Sequence, residues 1–222
     1  MTYLELLAER GIDGAHPGGF ALTRALLRRE MIDANTTVLD VGCGTGQTSS
    51  YIAKKFKCRV VAVDNSTKML EKAQQRFQKD SLKIGLVRAD AMRLPFWPNS
   101  FDLVLAESVT IFTNISRTLR EYSRVLKPGG ILIDIEMTAE MPLTAEELKD
   151  VKSVYGIKQV PTQDEWTDML KAAGFSSIQI LKGRINPLEL LFGNRLGKEF
   201  SAHFNLMKQY YRKLGYRVYR CK

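Results

Sequence analysis

The chain has 222 residues, of which 45% are hydrophobic and 26% are charged. This length and composition suit one ordinary globular domain with one sizeable core. No stretch approaches the length of a membrane span, and the N-terminus lacks the basic-then-apolar pattern of a secretion signal, so we expect a cytoplasmic protein. The chain has three cysteines, an odd number, and we expect them to be reduced thiols. No cluster of His and Cys has the spacing of metal ligands, so we expect no metal site.

The net charge is +9, and much of it lies near the C-terminus. Eight Lys or Arg residues but only two Glu residues lie between Pro187 and Lys222. A basic face of this kind could meet nucleic acid or an anionic substrate. It could equally be the solvated face of a helix, and both interpretations stay open at this point.

The N-terminal part of the chain predicts two helices joined by a glycine-rich loop. Residues 2–10 and 20–32 have helical patterns. Between them lie His16, Gly18 and Gly19, in a loop with too many glycines for regular structure. Such a loop could fold over a bound ligand as a lid, with His16 as a polar contact, or it could be a plain connection.

A glycine-rich turn follows the first predicted strand. Residues 38–41 form an apolar run that predicts this strand, and the polar run from Gln47 predicts a helix. At Gly42, Gly44 and Gly46 the absence of a Cβ lets the backbone approach a ligand. The N–H groups at the start of the helix favour a negative group, such as a carboxylate.

Asp40, at the end of the strand, helps to distinguish between two classes of ligand that such a turn could bind. A dinucleotide site has the spacing Gly-x-Gly-x-x-Gly, whereas the third glycine here comes one residue earlier. A carboxylate at this position would repel a pyrophosphate, but it could accept a hydrogen bond from the ammonium group of an amino acid. The turn therefore favours an amino-acid-like ligand over a dinucleotide, and a turn that binds nothing is the further alternative.

The stretch from Asp40 to Gly46 resembles the class I S-adenosylmethionine-dependent methyltransferases. Three later runs extend the resemblance: DNSTKMLEKA from Asp64, DAMRLPF from Asp90 and LKPGG from Leu126. They resemble segments of the methyltransferases related to ubiquinone and menaquinone C-methylation. The resemblance covers about residues 36–136 and implies S-adenosylmethionine as the cofactor and S-adenosylhomocysteine as the product.

The resemblance assigns roles to individual residues. Asp64, at the tip of the second predicted strand, can accept hydrogen bonds from both ribose hydroxyls. Met69 would pack on the adenine face, while Asp90 and the N–H of Ala91 would hydrogen bond to the adenine. The residues expected to bind the cofactor are His16, Gly18, Gly19, Asp40, Gly42, Gly44, Thr45, Gly46, Gln47, Asp64, Asn65, Met69, Asp90, Ala91 and Glu107.

Alternating strands and helices predict an α/β fold with a doubly wound, Rossmann-like sheet. By resemblance, the sheet has seven strands in the order 3-2-1-4-5-7-6, with strand 7 antiparallel and helices on both faces. The pattern over residues 187–214 predicts a helical insertion that could form a cap over the substrate, and His203 within it is interpreted as structural. We expect one domain over residues 1–222, with a lid at 1–35, a cofactor-binding core at 36–136 and the insertion at 187–214.

Two carboxylates are expected near the methyl acceptor, because Glu107 ends strand four and Glu136 ends strand five. Either could act as a base or hold a cationic amine; helix capping or solvent exposure is the alternative. Methyl transfer is an in-line displacement that depends mainly on positioning and on removal of water. The histidine that many relatives carry after strand four is absent from residues 108–113.

These observations predict a methyltransferase that acts on a small molecule in a closed pocket, as a monomer or homodimer. No acid/amide-Pro-Pro-aromatic motif and no Pro-Cys pair occur, which disfavours methylation of nucleic-acid bases. The alternatives are an RNA or protein methyltransferase that docks through the basic C-terminal region, and a non-catalytic protein that binds S-adenosylmethionine. An NAD-dependent dehydrogenase is a more distant alternative.

Overall fold

A computed structural model describes residues 2–183 and 198–222 of the chain. Its centre is a seven-stranded sheet with the order β3-β2-β1-β4-β5-β7-β6. The strands are β1 Thr37–Val41, β2 Arg59–Asp64, β3 Gly85–Arg88, β4 Phe101–Glu107, β5 Leu126–Ala139, β6 Ile178–Gly183 and β7 Leu214–Cys221. β7 runs antiparallel to β5 and β6, and the other neighbours are parallel. The predicted α/β fold and its strand order are confirmed.

The described residues form eight α-helices and two short 3-10 turns. The helices are α1 Tyr3–Arg10, α2 Gly19–Leu27, α3 Gln47–Phe56, α4 Thr67–Lys79, α5 Ile115–Val125, α6 Ala145–Tyr155, α7 Gln163–Ala172 and α8 Ser201–Tyr210. The 3-10 turns are Thr110–Phe112 and Lys198–Phe200. Thr144 caps α6 and Thr162 caps α7, each in a reciprocal capping box with the glutamate three residues later.

Both faces of the sheet are buried, and β4 shows how the sequence achieves this. Val104 and Ala106 belong to the core cluster that includes Leu119 of α5. Their neighbours Leu103 and Leu105 belong to the cluster that includes α2 and α3. Because side chains alternate along a strand, the apolar run of β4 supplies both clusters.

Some predicted boundaries were wrong. The second helix ends at Leu27 rather than at residue 32, and Met31, beyond its end, is fully exposed. The LKPGG run lies within β5, which begins at Leu126, and the pairing of β5 with β4 shifts register between Phe101 and Leu103. Part of the predicted insertion, residues 187–197, lies outside the described residues, and the rest contains a 3-10 turn and α8.

Among residues 2–183 and 198–222, no helix is long and apolar enough to cross a membrane. The same residues contain no group of three His, Cys, Asp or Glu side chains that could hold a metal ion. Cys43, Cys58 and Cys221 are buried and free.

Candidate active site

Two adjoining cavities lie at the end of the sheet where β1 separates β2 from β4. The first has a volume of about 230 Å³ and is lined by the glycine turn and by the carboxyl ends of β2 and β4. The second has a volume of about 450 Å³ and is lined by residues of α1, α6 and α8. Both cavities are lined by Leu7, Ile12, Asp13, Gly14, Ala15, His16, Ser108 and Phe112. This carboxyl edge is where open α/β sheets bind ligands.

The three turn glycines have different roles. Gly44 lines the first cavity, and a Cβ added there would meet no atom closer than Sδ of Met69, at 4.0 Å. A Cβ on Gly42 would overlap Val109 at 2.2 Å, so this glycine allows the segment after β4 to approach. A Cβ on Gly46 would overlap Phe77 at 2.5 Å, and Gly46 does not line the cavity. Gly46 therefore serves the packing of α3 against α4 rather than direct contact with a ligand.

Asp64 connects the tip of β2 with the glycine turn. Its carboxylate accepts hydrogen bonds from the N–H of Gly44 at 3.0 Å and from the N–H of Ser66 at 2.8 Å. Burial raises the pKa of this carboxyl, and the backbone N–H groups oppose the shift. Asp64, Asn65 and Met69 all line the first cavity. Each carboxylate oxygen has a second lone pair with which it could accept from a ligand hydroxyl.

Asp90 and Ala91, which follow β3, also line this cavity. One carboxylate oxygen of Asp90 accepts a hydrogen bond from the N–H of Met92 at 2.8 Å. The other oxygen remains available to accept from a ligand amino group. The cavity therefore places carboxylates at the ends of two neighbouring strands, as the sequence predicted.

Gln47, the first residue of α3, bears on whether the first cavity suits an amino-acid ligand. Its side-chain carbonyl, Oε1, is buried and has no hydrogen-bond partner among the described residues. Gln47 lines the first cavity beside Thr45. A buried carbonyl without a donor is costly, and an ammonium group in the cavity would supply one. Together with Asp64 and Asp90, Gln47 gives the cavity acceptors that suit the amine, ribose and adenine groups of S-adenosylmethionine.

The geometry does not support the predicted contact of Asp40 with a ligand. It is only 2% exposed, lines neither cavity, and accepts a hydrogen bond from the hydroxyl of Ser49 in α3. Burial, followed by the charge of Glu107, raises the pKa of Asp40 to about 8. A neutral carboxyl behind the turn has no charge to offer an ammonium group. Asp40 therefore braces α3 against β1, and the geometry does not support its direct contact with a ligand.

The N-terminal loop covers the first cavity and is held there by Asp13. The carboxylate of Asp13 pairs with Arg76 of α4 at 2.7 Å and also accepts from the hydroxyl of Thr45. Asp13 was not predicted from the sequence, where it is a single carboxylate between Gly11 and Gly14.

Of the lid residues named from the sequence, His16 lines both cavities. Gly18 and Gly19 line the second cavity and not the first, because the chain turns there into α2. Both glycines have positive φ, at 80° and 54°, which permits this turn. Their predicted contact with the cofactor is therefore not supported by the geometry.

Glu107, at the end of β4, is the centre of a polar cluster. Its carboxylate accepts hydrogen bonds from the hydroxyls of Thr48, at 2.8 Å, and of Thr23. Nε2 of His16 lies 3.1 Å from the Thr23 hydroxyl and 3.4 Å from Oε1 of Glu107. Nδ1 of His16 lies 3.1 Å from the carbonyl oxygen of Pro17, to which it must donate. Glu107 lines the first cavity but not the second.

Glu136 has a different environment from Glu107. It is fully buried, lines neither cavity, and accepts from the N–H groups of Val109, Thr110 and Ile111 at 2.8, 2.8 and 3.3 Å. Burial raises the pKa of Glu136 to about 7. The geometry does not support the predicted role as a base, because the carboxyl faces three backbone N–H groups and lines neither cavity. Glu136 instead fixes the segment after β4 that forms part of the wall between the cavities.

The second cavity is largely aromatic and was not predicted in detail. Its aromatic and thioether lining consists of Tyr3, Phe112, Met137, Tyr155, Phe200, His203, Phe204, Met207 and Tyr216. The helical pattern of Phe200, Phe204 and Met207 was visible in the sequence, but the partners that α1 and α6 supply were not. The predicted cap is thus built jointly by α1, α6 and α8.

Comparisons with known proteins also indicate a methyltransferase. A family model described as a methyltransferase domain matches residues 38–130. The uncharacterized methyltransferase YodH of Bacillus subtilis (strain 168) is 34% identical over 229 residues, a match that covers 98% of this chain and 97% of YodH. The ubiquinone/menaquinone biosynthesis C-methyltransferase UbiE of Bartonella quintana (strain Toulouse) is 33% identical over 172 residues, covering 65% of this chain and 66% of UbiE.

A solved structure has the same fold. Phosphoethanolamine N-methyltransferase 2 of Haemonchus contortus, in complex with phosphomonomethylethanolamine and S-adenosylhomocysteine, superposes with a TM-score of 0.83. The two chains are 21% identical, and the match covers 99% of this chain and 57% of that one. At this identity the likeness concerns the fold, whereas the match with YodH extends over nearly the whole of both sequences.

Proposed function

This chain belongs to the class I S-adenosylmethionine-dependent methyltransferases, and from that premise we propose that it methylates a small-molecule acceptor bound in the second cavity. The main support is the wall that the two cavities share, formed by residues 12–16 together with Ser108 and Phe112. A donor held in the first cavity and an acceptor held in the second would adjoin each other there. A domain that only binds the cofactor has no need of a second, larger cavity at that place.

When bound, S-adenosylmethionine supplies a methyl group on a positively charged sulfonium sulfur. The residues proposed to hold it line the first cavity. Asp64 would accept from the ribose hydroxyls, Asp90 from the adenine amino group, and Gln47 from the ammonium group. Gly44 would let the backbone approach, and Met69 would cover the adenine.

The lid contributes by excluding water. Asp13 joins the N-terminal loop to Arg76 and Thr45 at the wall of the first cavity. Exclusion of water strengthens the polar contacts inside the site and keeps the reacting groups aligned.

We propose that His16, with Glu107, receives the proton when the acceptor must lose one. Nδ1 of His16 donates to Pro17, and the single hydroxyl proton of Thr23 is donated to Glu107. In the neutral ring, Nε2 therefore faces two oxygen atoms without a proton of its own. A proton accepted at Nε2 would complete both contacts and pair the imidazolium with Glu107. Glu107 itself does not line the acceptor cavity, so a direct role as base is less well supported.

The basic C-terminal region gives little support to docking of RNA or protein. Three of its basic side chains pair with carboxylates of the fold: Lys213 with Glu147, Arg217 with Glu140 and Arg220 with Glu30. Arg217 is only 2% exposed. These three paired side chains hold β7 and the residue just before it in place, so they are not free to bind phosphates.

The test is transfer of label from methyl-labelled S-adenosylmethionine in the presence of a cell extract. Small molecules, RNA and protein are separated before counting, and the Asp64→Ala variant is the control for enzyme-dependent label. The proposal predicts label in the small-molecule fraction. Label in RNA or protein would show that the substrate class is wrong, and no label with several extracts would favour a non-catalytic binding protein.

A further inference from the structure

His203 and Tyr155 form a polar pair in the aromatic second cavity. The hydroxyl oxygen of Tyr155 lies 2.7 Å from Nδ1 of His203, and both residues line the cavity. The His203 ring is stacked on Tyr3 with a centroid distance of 5.5 Å and an interplanar angle of 18°. Contacts from α1 and α6 therefore fix the orientation of an imidazole on α8.

The hydrogen bond determines which nitrogen of His203 carries the proton. A phenol is a better donor than a neutral imidazole, and an imidazole nitrogen is the better acceptor, so Tyr155 donates to Nδ1. Nε2 then keeps the ring proton. Among residues 2–183 and 198–222, no side chain or backbone group hydrogen bonds to Nε2. The pair thus presents one unused donor in the second cavity.

The surroundings keep this donor uncharged. Burial lowers the pKa of His203 to about 4, so the ring is neutral at physiological pH. Burial also raises the pKa of Tyr155 well above its ordinary value, so that hydroxyl stays protonated. No Lys or Arg occurs among the described residues that line the cavity, and the one carboxylate among them, Asp13, is paired with Arg76. A charged ligand would lose water there without gaining a partner from these residues.

We propose that the second cavity takes an uncharged, largely apolar acceptor that carries an oxygen atom, and that Nε2–H of His203 donates a hydrogen bond to that oxygen. The inference rests on the proposed function, because it names the class of molecule for the same cavity. His203 is then a specificity-determining residue of the cap, in addition to the structural role that its helical pattern predicted.

Three bicyclic probes of nearly equal size can test the proposal with the full chain and S-adenosylhomocysteine. 2-Methoxynaphthalene offers an oxygen that can only accept, 2-ethylnaphthalene replaces that oxygen with carbon, and 2-naphthoate carries a negative charge. Their affinities are measured by calorimetry or by naphthalene fluorescence for the wild type and for His203→Phe. For each protein the preference is the ratio of the affinity for the methoxy probe to that for the ethyl probe. This ratio should be about 2- to 10-fold larger in the wild type than in His203→Phe, as expected for one neutral hydrogen bond.

His203→Gln, which keeps an N–H donor, should restore part of this preference, and thermal unfolding of each variant checks that the fold is intact. An equal preference in the wild type and His203→Phe would overturn the proposal. So would 2-naphthoate binding as tightly as the methoxy probe, or no binding of either neutral probe. Label transfer to small molecules in the extract assay, combined with any of these results, would show that only the inference about the acceptor has failed.

Discussion

The backbone N–H of Gly44 donates a hydrogen bond to Oδ2 of Asp64 at 3.0 Å, across the boundary between β1 and β2. The second oxygen, Oδ1, accepts from the N–H of Ser66 at 2.8 Å. One carboxylate therefore fixes the shape of the glycine turn and also lines the cavity proposed for the cofactor.

We expect Asp64→Ala to weaken S-adenosylmethionine binding by about 10- to 100-fold, because hydrogen bonds to a charged group are lost and the turn loses its brace. Titration calorimetry measures the affinity. Asp168→Ala, which removes an exposed carboxylate from α7, is the matched control. Unchanged affinity in Asp64→Ala would remove this residue from the site.

Gly44→Ala and Gly46→Ala separate binding from packing within one turn. Both glycines have positive φ, at 53° and 78°, so each substitution carries a backbone cost of about 1–2 kcal/mol. The new Cβ at Gly46 would also overlap Phe77 at 2.5 Å, whereas the one at Gly44 only reaches Sδ of Met69 at 4.0 Å, without overlap. We expect Gly46→Ala to lower the free energy of unfolding by about 1–3 kcal/mol more than Gly44→Ala does.

Gly44→Ala should instead lower the affinity for S-adenosylmethionine more than its small loss of stability explains, because the Cβ enters the first cavity. Urea unfolding and calorimetry on the two variants measure both quantities. The same ratio of lost stability to lost affinity in both variants would contradict the division of roles.

The glycine turn, Asp64 and Asp90 could be predicted because their chemistry lies in short contiguous runs at the ends of strands. A parallel sheet brings those ends to one edge, so strand order is enough to place them together. The Asp13–Arg76 pair could not be predicted, because its members lie on separate elements and belong to no periodic pattern. The aromatic cavity likewise depends on how α1, α6 and α8 meet, which no local signal encodes.

Glu107 and Glu136 show the same limit more sharply. Each follows an apolar strand, and the two strands are neighbours, so the sequence assigns them similar positions. The chain after β4 then turns back across Glu136, whose carboxylate takes three backbone N–H groups, while Glu107 faces hydroxyls and His16. Which carboxylate reaches a cavity is decided by the path of the next segment.

The buried carboxyl of Asp134 should make stability depend on pH. Burial, followed by the charge of Glu136, raises the pKa of Asp134 well above its ordinary value of 3.8. The folded state therefore keeps a proton that the unfolded state releases as the pH rises above about 4. The stabilisation from this proton is complete below that pH and is lost as the pH rises towards the folded-state pKa.

Asp134→Asn has no such proton to lose and can still accept from the hydroxyl of Thr110, which lies 3.1 Å from each Asp134 oxygen. We expect the free energy of unfolding of Asp134→Asn to increase relative to that of the wild type as the pH rises from 5 to 7, by up to about 1.4 kcal/mol per pH unit. Urea unfolding at several pH values measures the difference, with Asp168→Asn as the exposed control. A difference that stays constant with pH would contradict the assignment.

His16→Asn tests the proposed proton acceptor, because asparagine retains a polar side chain but cannot take up a proton. If the acceptor must lose a proton, label transfer to the small-molecule fraction should fall by about 100-fold or more, while calorimetry finds S-adenosylmethionine affinity changed only a few-fold. If both proteins transfer label at the same rate, His16 is a polar contact of the lid, and the proton leaves the acceptor by another route.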